Sequence, residues 1–136
     1  NNILNIVNDQ QLTNVFLIDS IPKDSVNKFL SYFDFLFIGL KKQSLFRFGV
    51  SPNKLFDYMF SGKPIIQAIE AGNDMVSEAG CGITVEPESP DSIAEAINKL
   101  ITLGSDEKIK MGEKGREYVL KNHDYRIISE NYLKSL

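Results

Sequence analysis

Apolar residues recur along this chain in two rhythms that alternate. Short unbroken runs of strand length occur at Val15–Asp19 (VFLID), Asp34–Leu40 (DFLFIGL), Pro64–Ala68 (PIIQA) and Gly82–Glu86 (GITVE), and each is read as a strand. Between them the apolar positions return at helical spacing. KDSVNKFLSYF sets Val26, Phe29, Leu30 and Phe33 on one face, SPNKLFDYMFSG follows, and NDMVSEAG supplies a turn or two. A helix over 1–11 precedes the first run. Beyond Pro90 the chain reads as helical to its end: PDSIAEAINKLITLG closed by Gly104, SDEKIKMGEKGREYVLKN opened by Ser105, then DYRIISENYLKSL. No internal repeat or low-complexity linker intervenes.

Strands that are apolar on both faces and alternate with helices predict a mainly parallel sheet covered on both sides. This is a doubly wound, Rossmann-like α/β layout, with extra helices at the C-terminus. In such sheets ligands lie outside the carboxyl ends of the strands, where loops run into helix N-termini. Attention therefore falls on KKQSLFRFGV, residues Lys41–Val50, which joins a strand to a helix and carries the cations Lys41, Lys42 and Arg47.

That helix has a legible start. Ser51 is a favoured N-cap, and Pro52 fits the first helical position, where its missing N–H costs nothing. Asn53 and Lys54 then occupy the first turn, with backbone N–H groups free to meet an anion such as phosphate. A lysine there opposes the helix dipole, at a cost of about 0.3–1 kcal/mol. Either the cation is simply solvated or an anion belongs beside it; on physical grounds the two explanations weigh equally. Asp57 lies one turn further along on the same face as Asn53 and Lys54, while Leu55, Phe56 and Met59 form the core-directed face. Gly62 is placed to end the helix before Pro64.

Composition narrows the classes. With 136 residues and 43% hydrophobic content the chain is expected to be one domain with a real core. The net charge of -3 and the dispersed lysines and arginines argue against nucleic acid as a partner. Cys81 is the lone cysteine, which excludes an intrachain disulfide and a cysteine metal cluster; it is read as a small buried hydrophobe. No apolar run approaches the roughly 20 residues of a membrane span, and the chain opens on Asn1-Asn2 without Met or leader, so it is expected to be an excised piece of a soluble protein. His123, the only histidine, stands at a helix junction and reads as a cap or surface residue away from the ligand edge. Phe29, Tyr32, Phe33, Phe35 and Phe37 follow strand and helix spacing and read as core, and Glu86 and Glu88 around Pro87 read as a solvated turn.

Three stretches carry a resemblance: GVSPNKLFDYMFSGKPII, GNDMVSEAGCGITVEPESPDSIAEAI and MGEKGREYVLKNHDY. From about Val15 onward the chain resembles the C-terminal, nucleotide-sugar-binding domain of bacterial GT-B glycosyltransferases, in particular the family-4 retaining enzymes of capsule and O-antigen synthesis. Members of that family often carry a pair of glutamates. The second hydrogen-bonds the donor's ribose and falls here on Asp57, while the first approaches the donor sugar and falls here on Gly49. The resemblance thus gives Asp57 the ribose role, and backbone N–H groups near Gly49 and Val50 are the expected substitute for the missing glutamate. The family's diphosphate-neutralising Arg and Lys come from a first strand–helix unit, which is expected to be absent here together with the N-terminal acceptor domain.

The implied activity is transfer of a sugar from a UDP- or GDP-type nucleotide-sugar donor to a glycan or lipid-linked acceptor, without a metal. Lys54, the N–H groups of Asn53 and Lys54, and Arg47 would offset charge on the leaving diphosphate. The segment Gly49, Val50, Ser51, Pro52 and Asn53 completes the donor site, and the base would lie near Ser20 and Ile21. Lys54 and Asp57 are the residues taken to carry the chemistry. Asn73 and Asp74 could serve near the donor sugar, although ordinary capping is the favoured account. The resemblance also implies a cytoplasmic location and leaves room for contact of the full-length enzyme with the inner membrane face. Two alternatives stay open: a non-catalytic flavodoxin-like binding module, and a GT-B sugar-nucleotide epimerase.

Overall fold

The run PIIQA becomes β2, Ile65–Ala68, the one strand buried along its whole length and the middle of a three-stranded sheet. It pairs in parallel with β1 (Leu36–Gly39) on one side and β3 (Gly82–Thr84) on the other, with Leu36 opposite Ile65 and Ile65 opposite Gly82. The computed structural model describes residues 2–123. Its helices are α1 (Asn2–Asp9), α2 (Val26–Leu30), α3 (Asn53–Phe60), α4 (Met75–Ala79), α5 (Pro90–Thr102) and α6 (Ser105–Asn122). Parallel neighbours require a crossover, and α3 and α4 supply the two.

Helices cover both faces of the sheet, as the doubly wound layout requires. On one face Leu55 and Met59 of α3, Met75 and Val76 of α4, and Cys81 close over Ile38, Ile65 and Ile69, with Tyr118 and Val119 of α6 behind them. On the other, Ala96 and Leu100 of α5 pack on Ile66, flanked by Phe35 and Ile83. Cys81 is fully buried, as expected, and burial pushes its thiol up to about 11. Gly62, with φ +72°, ends α3, and α6 lies directly on that turn: a Cβ at Gly112 would collide with the Gly62 carbonyl. Among the described residues no helix is long and apolar enough to cross a membrane.

The structure departs from expectation at the N-terminal side. Val15–Asp19 is not a strand; no backbone hydrogen bond joins it to the sheet, and Phe16 and Ile18 are 79% and 64% exposed. An apolar run supplies strand propensity but not a partner, and without a ladder its N–H and C=O groups stay in water. The expected helix over KDSVNKFLSYF is split into a 3-10 turn at Lys23–Ser25 and the short α2, with only Leu30 fully buried. The aromatic cluster is also less of a core than its spacing implies: Phe29 meets Phe33 edge-on at 4.9 Å, but Tyr32, Phe33 and Phe37 are exposed. The cause is that β1 is an edge strand, and among the described residues no further strand pairs with it on that side. The last expected helix, DYRIISENYLKSL, lies outside the described residues.

Candidate functional site

The carboxyl ends of β1 and β2 lead into α3 and α4, and the two connecting loops are tied together by hydrogen bonds. The loop after β1 winds through a 3-10 turn, Ser44–Phe48. Its Phe46 carbonyl accepts both the Gly49 N–H and the Gly72 N–H at 2.8 Å. Asn73 then grips Val50 at two points: the Val50 N–H donates to Asn73 Oδ1 at 2.8 Å, and Asn73 Nδ2 donates to the Val50 carbonyl at 3.0 Å. Gly72 permits this closeness, because a Cβ there would collide with the Arg47 carbonyl oxygen.

This arrangement corrects two expectations. The N–H groups of Gly49 and Val50, anticipated as donors to a sugar, are both committed within the protein. The helix also starts one residue later than anticipated. Pro52, at φ -67° and ψ 124°, is the N-cap rather than the first helical residue, and Ser51 makes no capping hydrogen bond. The reason lies in the Asn73 grip, which holds Val50 in place and brings the chain to Pro52 still extended. Proline's fixed φ suits that conformation as well as it suits a helix. Asn53 and Lys54 are therefore the first two helical residues, ahead of the Leu55 N–H, which bonds the Pro52 carbonyl at 2.9 Å.

Asp74 is a cap, as favoured. Its Oδ1 accepts from the Ser77 N–H, the Thr84 hydroxyl and Gln67 Nε2, each at 3.0 Å, and its Oδ2 accepts from the Ser77 hydroxyl at 2.7 Å. It thereby satisfies the buried Gln67 amide of β2 and joins β3 to the start of α4. Lys42 is likewise occupied. Its ammonium lies 2.8 Å from Glu86 and 3.2 Å from Glu70, and its backbone N–H donates to Glu88 at 3.0 Å. The hydrogen bond to Glu86 raises the Lys42 pKa and lowers that of Glu86. The turn at Glu86 and Glu88 is thus exposed but anchored.

Two open grooves flank the start of α3. One, of about 400 Å³, is bordered by Arg47, Phe48, Gly49, Val50, Ser51, Gly72 and Asn73. The Arg47 guanidinium lies over the Phe48 ring at 4.7 Å, and among the described residues it has no carboxylate partner. The other, of about 500 Å³, is bordered by Lys23, Asn53, Phe56, Asp57, Phe60, Val119 and His123. His123 caps α6 as anticipated, yet it also stacks at a tilt on Phe56 at 4.9 Å and so reaches the groove that holds Asp57.

The structure therefore gathers Arg47, Gly49, Val50 and Ser51 in one groove and Asn53 and Asp57 in the other. Pro52 joins the two, and Lys54 is exposed on the first turn of α3 without bordering either groove. Ser20 is exposed and Ile21 half-buried, on a segment that leads to Lys23 at the second groove. Lys23 and His123 as groove residues were missed, and Asn73, named as a possible residue near the donor sugar, was set below a capping role that Asp74 in fact takes. The signal for Asn73 was an amide in a Gly-Asn-Asp loop before a helix. Among the described residues no group of three or more His, Cys, Asp or Glu converges as a metal site.

No family model matches the chain, and no curated protein matches it. A solved structure does: sucrose-phosphate synthase from Thermosynechococcus elongatus is similar at a TM-score of 0.81 and 18% identity, over 97% of this chain and 32% of that enzyme. The chain spans about a third of that enzyme's length, and the likeness is one of fold. It is the Rossmann-like α/β fold of one half of a GT-B glycosyltransferase.

Proposed function

We propose that this chain is the donor-binding half of a glycosyltransferase, one that moves a sugar from a UDP- or GDP-type nucleotide sugar to a glycan or lipid-linked acceptor. We read it as an enzyme of the retaining type found in capsule and O-antigen synthesis. The observation that carries this reading is the pair of grooves on either side of the first turn of α3, at the carboxyl edge of a parallel sheet in a GT-B-like fold. In other folds with parallel sheets, that edge is where nucleotides bind.

In such a transfer the bond between the sugar's anomeric carbon and the β-phosphate oxygen breaks, and negative charge grows on the diphosphate. Groups already oriented toward that charge lower the barrier. The N–H groups of Asn53 and Lys54, the Lys54 ammonium and Arg47 are the candidates here, and no metal is invoked. Asp57, exposed at the second groove, accepts hydrogen bonds from the ribose hydroxyls, and the base extends toward Ser20 and Ile21. The acceptor and any general base come from a second domain, so the chain alone binds donor without turning it over.

The test is an NMR titration of the chain with UDP and with GDP. One of them should shift the amides from Gly49 to Asp57, with a Kd of about 1 mM, near -4 kcal/mol. Absence of any shift at that concentration sinks the proposal, and turnover of a nucleotide sugar by the chain alone would mark it as an enzyme in its own right.

A further inference from the structure

Asn73 uses only half of its hydrogen-bonding capacity in holding Val50. A carboxamide offers two N–H donors and two oxygen lone pairs. One donor and one lone pair are spent on the Val50 backbone, and the described residues offer the remainder no protein partner. That remainder sits on a half-buried side chain at the wall of the Arg47 groove. The groove needs such a group, because the N–H groups of Gly49 and Val50 that border it are already engaged. No carboxylate borders it either.

The geometry at Gly49 points the same way. A Cβ built on this residue, whose φ is +103°, would approach Asn73 Oδ1 to 3.2 Å and Cγ to 3.6 Å. A side chain at position 49 would therefore project into the space that the Asn73 carboxamide fills. The polar side chain that stands beside position 49 comes from the loop after β2.

We propose that Asn73 is a specificity-determining residue, whose unspent N–H and lone pair hydrogen-bond the hydroxyl groups of the donor's sugar. The inference rests on the donor-binding reading above and adds to it the residue that tells a nucleotide sugar from the bare nucleotide. A carboxamide both donates and accepts, so it matches a sugar hydroxyl in either sense. A carboxylate could only accept.

The test is a set of affinity ratios measured on the 136-residue chain by calorimetry, UDP against UDP-glucose and GDP against GDP-mannose. In the pair that binds, the sugar form should bind about three- to tenfold more tightly, the equivalent of a net hydrogen bond or slightly more. Asn73→Ala should bring that ratio to about one, over and above any loss that nucleotide and nucleotide sugar share through the loop Asn73 holds. Asn73→Asp keeps an acceptor for the Val50 N–H but loses the donor and adds charge; it should also lose the ratio, and protection of the Val50 amide against hydrogen exchange reports whether the grip survives. A ratio of about one in the unaltered chain, or a ratio that persists in both variants, overturns the inference and leaves the donor-binding reading standing. Equal losses for nucleotide and nucleotide sugar overturn it as well, because they assign Asn73 to loop geometry alone. If no nucleotide binds, the donor-binding reading has failed, and this inference with it.

Discussion

Lys54→Met sets two effects of opposite sign against each other. Lys54 is the second helical residue of α3, exposed on its first turn, with Asp57 one turn further along. Methionine keeps most of the stem and removes the charge. Without ligand, the variant loses a cation from the positive end of a helix dipole and with it an attraction to Asp57. The first change stabilises by about 0.3–1 kcal/mol, and the second costs about 0.2–0.5 kcal/mol. The balance is a stability that is level or slightly higher. With a nucleoside diphosphate present, the same substitution removes a charge-assisted hydrogen bond worth about 1–3 kcal/mol, so Kd should rise roughly 5- to 150-fold. Urea melts of both proteins without ligand give the first sign, and calorimetric titration with UDP and GDP at low ionic strength gives the second. Added salt should weaken binding to the unaltered chain, because the site is open to solvent and charges separated by about 10 Å are screened at 0.1 M. Unchanged affinity together with lower stability would refute the argument and leave Lys54 as a surface residue that serves the fold.

Asp57 is exposed and caps nothing, so Asp57→Ala should weaken nucleoside diphosphate binding by about 1–2 kcal/mol with little change in urea midpoint, whereas a large loss of stability would show a structural role. Gly112→Ala should destabilise by about 1–3 kcal/mol or more, despite alanine's helix propensity, because the obstacle is the Gly62 carbonyl and a backbone atom cannot rotate away; a stabilised variant in the same melt would contradict this packing. Tyr118 donates its hydroxyl to Glu78 at 2.7 Å, and that hydrogen bond, aided by burial, pushes the phenol up to about 12 from its ordinary 10. A raised folded-state pKa means that this contribution is fully present below pH 10 and is lost as pH rises through about 12. The phenolate absorbance of the chain minus that of Tyr118→Phe should accordingly titrate near 12, and a midpoint near 10 would show that the bond does not persist in solution.

What could be read in advance divides along the line between local and distant interactions. PIIQA, DFLFIGL and GITVE carry their own burial, and the structure makes each a strand. Gly62 likewise ends its helix through a backbone preference that needs no partner. VFLID looks no different in composition but lacks a ladder, and propensity cannot supply one. At the site, the cluster Arg47, Gly49, Val50 and Ser51 was legible because a cation-bearing loop before a Ser-Pro helix start is a local signal. The grip of Asn73 on Val50 was not, because it spans 23 positions of sequence. That one contact moves the helix start and removes the Val50 N–H from the list of donors, while the Phe46 carbonyl removes that of Gly49. Val119 and His123 reach the Asp57 groove for a similar reason: α6 folds back onto α3, as the packing at Gly112 and the Phe56–His123 stack show.

The ion pairs of Lys42 are exposed and individually weak, but they have a consequence beyond their strength. One residue following β1 bonds to Glu70 after β2 and to Glu86 and Glu88 after β3. It is a hub with three spokes. Changing one glutamate frees one strap, but neutralising the Lys42 amine frees two at once and leaves only the backbone bond to Glu88. The loops around the mouth of the grooves are therefore unequal in what they can tolerate. Sequence change at 70, 86 or 88 stays local, whereas the same step at 42 is felt at the ends of all three strands.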